Sequence, residues 1–88
     1  MLDNFIFSEE GFIFLKKYND MFNVDFRIDI PDGEDVIFET KGTSYKIDKT
    51  LSTEEFKKII SKSIEENKNF LQQRFKDNVV KYKKDVFY

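Results

Sequence analysis

Residues 24–48, VDFRIDIPDGEDVIFETKGTSYKID, read as three short strands joined by two turns, and that reading decides the fold. Val24, Phe26, Ile28 and Ile30 alternate with Asp25, Arg27 and Asp29, the period-two signature of a half-buried strand. Pro31-Asp32-Gly33 supplies a pre-set φ, a side chain that bonds its own backbone and a residue tolerant of positive φ, so a three-residue hairpin loop is expected. Counting back from it, Asp29 faces Asp35, Ile28 faces Val36, Arg27 faces Ile37, Phe26 faces Phe38 and Asp25 faces Glu39. A two-residue Lys41-Gly42 loop then sets Phe38 against Tyr45, Ile37 against Lys46, Val36 against Ile47 and Asp35 against Asp48. A slip of one residue would turn Tyr45 and Ile47 outward, so burial fixes the register.

The same parity puts charge on the other face. Asp29, Asp35 and Asp48 fall in one row with Asp32 and Glu34 in the adjoining turn; Arg27, Ile37 and Lys46 form the middle row; Asp25, Glu39 and Ser44 form the third. Like charges opposite one another on a sheet are unfavourable, and the sequence offers no evident internal partner for most of these carboxylates. Asp25, Asp29, Asp32, Glu34, Asp35, Glu39 and Asp48 are therefore expected to meet a cationic partner, and neutralising Asp29, Asp35 and Asp48 together is expected to raise stability.

Two helical regions flank the strands. Ser8 followed by Glu9 and Glu10 suits a helix start, with Phe14, Tyr18, Met21 and Phe22 on one stripe, Phe12 and Leu15 widening it, and Gly11 weakening its first turns. Leu2, Phe5, Ile6 and Phe7 are expected as an irregular segment against the core. Ser52 and Glu55 have capping-box spacing, and Leu51 with Phe56 forms a hydrophobic staple. Phe56, Ile59, Ile60 and Ile64 make the first apolar stripe of the helix that follows, and Leu71, Phe75, Val79 and Tyr82 continue it. Unbroken, such a helix would span roughly 45 Å at 1.5 Å per residue, whereas a seven-residue strand covers only about 23 Å. Either it breaks near residues 67–69, or its second half projects with Leu71, Phe75, Val79 and Tyr82 covered by a second copy of the chain. The fold class is α+β: helix, three-stranded antiparallel sheet, long or broken C-terminal helix.

Composition bounds the rest. Eighty-eight residues allow one domain, 1–88, and 11 Phe with 4 Tyr enlarge its core. With no Cys and no His there is no thiol nucleophile, ordinary proton shuttle or thiolate metal site, and the serines lack a nucleophile elbow, so an enzyme is not expected. No cofactor is expected either. Residues 28–39 put Asp32, Gly33 and Glu39 at the fifth, sixth and twelfth positions of an EF-hand loop, but Ile28 and Ile30 stand where oxygen ligands are required. A loose divalent-cation contact among Asp29, Asp32, Asp35 and Asp48 stays open. No apolar run reaches membrane-spanning length, and Asp3 without a basic leader fits a soluble cytoplasmic chain. The net charge of -2 conceals an acidic first half and a Lys-rich second half; solvated faces account for such a split as simply as function does.

Three functional readings follow. The first is an inhibitor or adaptor whose acidic sheet edge occupies a basic surface of another protein, such as a nucleic-acid-binding one. The order of elements, with Asp25, Asp29, Asp32, Glu34, Asp35 and Glu39, resembles that of small phage-encoded inhibitors of the anti-CRISPR and DNA-mimic type. The likeness is one of architecture and charge, and a net charge of -2 is far weaker than that of a strong DNA mimic. The second reading is a nucleic-acid module using Lys76, Lys81, Lys83 and Lys84 with Tyr82 and Phe87. The third is a structural homodimer.

Overall fold

The strand ladder follows the pairing expected from parity. In the computed structural model, which describes residues 2–28 and 35–80, strand β1 (Val24–Ile28) runs antiparallel to β2 (Val36–Thr40), and β2 antiparallel to β3 (Thr43–Lys46). Ile28 lies opposite Val36, Phe26 opposite Phe38 and Asp25 opposite Glu39, while Phe38 lies opposite Tyr45 and Ile37 opposite Lys46. The Ile47 N–H donates to the Val36 carbonyl at 2.9 Å, carrying the register one step further. Lys41 and Gly42 both take positive φ, 54° and 81°, the mirror-image turn that matches strand twist. The Pro31-Asp32-Gly33 hairpin loop and the Asp29–Asp35 pairing lie outside the described residues.

The inner face of the sheet carries Val24, Phe26, Val36, Phe38 and Tyr45, with Phe38 stacked on Tyr45 at 5.1 Å between ring centroids. Helix α3 (Thr53–Glu66) packs into this face with Phe56 and Ile60 wholly buried. Its start is as expected: Ser52 accepts from the Glu55 N–H at 3.1 Å, and Leu51 and Phe56 both lie in the core. Helix α2 (Glu9–Phe22) buries Leu15 and Tyr18 and half-buries Phe14 and Phe22.

Three expectations need correction. Residues 2–6 form a helix, α1 (Leu2–Ile6), and not an irregular segment; Ile6 enters the core while Phe7 stays 47% exposed. Gly11 is less a weak point than a requirement, because a Cβ there would stand 1.8 Å from the Phe5 carbonyl oxygen where α1 crosses α2. The α2 stripe is also narrower than expected, for Phe12 and Met21 turn to the surface.

The C-terminal helix is broken. α3 stops at Asn67, which takes the left-handed conformation, φ 56° and ψ 42°, and donates its backbone N–H to the Ser63 carbonyl. Helix α4 (Phe70–Arg74) follows after a reversal held by Ser63, whose hydroxyl donates to the Ile59 carbonyl at 2.8 Å and accepts from the Phe70 N–H at 3.0 Å. Asn69 caps α4 by accepting from the Gln72 N–H and also accepts the buried Tyr18 hydroxyl at 2.6 Å. Gln72 then donates to the Tyr45 hydroxyl at 2.9 Å. One polar chain thus ties α2, α4 and β3 together, and burial pushes the Tyr18 hydroxyl well above its ordinary pKa against the pull of Asn69.

The break takes Leu71 and Phe75 out of the expected oligomer seam. Leu71 and Phe75 are 0% and 5% exposed, packed into the chain's own core, so they offer nothing to a second copy. Val79 lies opposite Tyr45 in an isolated bridge, with the Lys46 N–H donating to the Asn78 carbonyl and the Val80 N–H to the Ser44 carbonyl. The helical spacing of 71, 75 and 79 therefore ends after α4, and Tyr82 lies outside the described residues.

Candidate functional site

The outer face of the sheet is a lattice of paired charges. Strand alternation presents Arg27 between β1 and β2, where its guanidinium donates to Glu39 at 3.0 Å and to the Ser44 hydroxyl at 3.1 Å. Ile37, in register with both Arg27 and Lys46, is fully buried in the middle of this face, so the long apolar stems beside it help to cover it. Lys46 reaches Asp35 at 3.2 Å and Lys49 reaches the other oxygen of the same carboxylate at 3.5 Å. The Asp35 side chain is only 16% exposed. Burial alone would raise its pKa, but the hydrogen bond and field of Lys46, joined by Lys49, hold it below the usual carboxylate value.

Asp48 has gone a different way. It leaves the strand line and closes a tight turn, accepting from the Thr50 N–H at 2.9 Å and the Thr50 hydroxyl at 3.0 Å. Those two bonds, the backbone one first, lower its pKa, with a smaller contribution from Arg74.

The expected acidic row is thus divided. Asp35, Glu39 and Asp48 each have an internal partner. Asp25 is exposed opposite Glu39 and forms no ion pair among the described residues. Asp29, Asp32 and Glu34 lie outside those residues. The signal that reveals the pairing is in the sequence: Lys46 lies in the row next to Asp35 on the same face in the expected register, and Lys49-Thr50 follows Asp48 directly.

Beside Asp48 a groove of about 550 Å³ opens between the start of α1, the ends of β2 and β3 and the lead-in to α3. Leu2, Val36, Ile47 and Leu51 give it an apolar lining, and Asp3, Asp48 and Lys49 give it charge. The groove escapes sequence reading because it depends on α1, whose residues are expected to be irregular. Among the described residues no group of three or more carboxylates is arranged to hold a metal ion, and no helix is long and apolar enough to cross a membrane.

Compared with protein-family models, curated proteins and solved structures, the chain matches none.

Proposed function

We propose that the chain is a small non-catalytic interaction protein, an inhibitor or adaptor that docks on a basic surface of another protein. The observation that carries this reading is the groove beside the charged end of the sheet: an apolar lining next to the Asp3 and Asp48 carboxylates suits a Lys or Arg side chain, whose stem is apolar and whose tip is cationic. Local charge agrees. Residues 24–50 hold seven carboxylates against four cations, so three negative charges remain even when every cation is paired. Such an excess accelerates encounter with a basic partner more than it tightens the final complex.

The test uses a partner captured from the native host and purified. Association with that partner is measured over a range of salt concentrations for the unmodified chain and for Asp3→Asn with Asp48→Asn. The double variant is expected to associate about tenfold more slowly at low salt, with the difference fading as salt rises. Equal association rates at every salt concentration would remove the groove from recognition.

A further inference from the structure

Helix α2 presents another surface, unlike that of the sheet. Phe12 and Ile13 stand side by side at 67% and 68% exposure, among the described residues the most exposed large apolar side chains. Their neighbours along the outer side of the helix are Glu9 and Glu10 one turn before and Lys16 and Lys17 one turn after. Lys16 bridges Asp20 at 3.3 Å in solvent, while Glu9, Glu10 and Lys17 form no ion pair among the described residues.

The order acidic, apolar, basic along one helix face is complementary to itself when reversed. Two copies of α2 laid antiparallel and crossing at Ile13 put Ile13 on Ile13, Glu9 of each opposite Lys17 of the other, and Glu10 opposite Lys16. A parallel arrangement would instead oppose like with like. Side chains on a helix lean toward its N-terminus, so Phe12 of one copy would lean across Lys16 and Lys17 of the other, over the shallow depression those residues line with Ile13. We infer that this face is covered by a second copy of the chain, α2 against α2, in a two-fold dimer whose seam is apolar at the crossing and charge-matched at both ends. None of the seam residues lines the groove or belongs to the sheet, so the dimer is tested separately from the proposed client binding.

Sedimentation at about 50 µM, where micromolar contacts are populated, should give twice the chain mass of 10.6 kDa. Ile13→Asp sets a carboxylate against its own image on the two-fold axis and should give the mass of one chain with an unchanged helical circular-dichroism signal. Two charge-reversed variants then fix the register. Glu9→Lys with Glu10→Lys makes the face wholly basic, and Lys16→Glu with Lys17→Glu makes it wholly acidic, so each alone should be monomeric and the equimolar mixture should regain the doubled mass. A monomeric unmodified chain, a doubled mass that survives Ile13→Asp, or reversed variants that fail to pair when mixed would each overturn the proposal.

Discussion

The outer face of the sheet and the outer side of α2 invert what their sequences suggest. The sheet face is rich in carboxylates but, among the described residues, turns three of four inward on its own chain, Asp35 on Lys46 and Lys49, Glu39 on Arg27, Asp48 on Thr50. The helix face has the sequence of a core stripe, yet leaves Phe12 and Ile13 two-thirds exposed. What distinguishes them is whether each side chain finds a partner within its own chain. A carboxylate with a cation in the next row, or a hydroxyl and an amide in its own turn, is structural; a large apolar residue on the far side of a helix from its core contacts is available.

If Phe12 and Ile13 are available, α2 is anchored only by its inner side, and Gly11→Ala tests this most severely. The added Cβ would meet the Phe5 carbonyl at 1.8 Å, so α1 must move away from α2. A loss of about 3 kcal/mol in chemical denaturation is expected; a loss below about 0.5 kcal/mol, the range of an ordinary surface substitution, would show that the α1–α2 crossing bears little weight. Ser63→Ala comes next. It removes the buried Ser63 hydroxyl from the Ile59 carbonyl and from the Phe70 N–H, which keeps the Lys68 carbonyl as an acceptor, and a cost of about 1.5 kcal/mol is expected in the same measurement.

Asp35→Asn probes the charged face itself. Asp35 and Asp48 are held as carboxylates by their partners, so neutralising either one is expected to lower stability, opposite in sign to the gain expected for the row Asp29, Asp35 and Asp48. Both lysine partners are well exposed, so the loss should be modest, about 1 kcal/mol. The pH dependence has a definite sign. Both carboxyls titrate lower in the folded chain than the ordinary value of 3.8, so their contribution is complete above that value and is lost as pH falls through the lowered ones. Asp35→Asn should flatten the stability profile in that acid window, and a melting curve that steepens there instead would contradict the pairing.

The smallest effect is expected on the other surface. At submicromolar concentration Ile13→Asp should change stability by no more than about 0.5 kcal/mol, since the side chain is 68% exposed. A loss beyond about 2 kcal/mol, the scale of a buried site, would mean that this side of α2 is packed after all.

The sheet is legible in the sequence because three signals agree: alternation along β1, the Lys41-Gly42 turn and the apolar pairing of Phe26, Phe38 and Tyr45. The start of α3 is legible for the same reason, with Ser52 and Leu51 each matching a local rule. The continuation through Leu71 and Phe75 misleads because an apolar spacing is the same whether it meets the chain's own core or a neighbour. The break at Asn67 depends on a left-handed Asn and on Ser63 serving two backbone groups, and neither leaves a periodic trace. The α2 surface is hidden for a related reason. Phe12, Ile13, Phe14 and Leu15 are consecutive, and only the position of α1 and the sheet decides which of the four turn inward.

The bridge between Val79 and Tyr45 also bears on how the chain fares during synthesis. Residues 78–80 engage backbone groups along the outer edge of β3, so an emerging or shortened chain ending after α4 would have every described helix and strand but an unzipped border on its sheet. Bare strand borders recruit one another. Residues 78–80 cover that border, and their loss should be felt first in solubility rather than in the melting temperature.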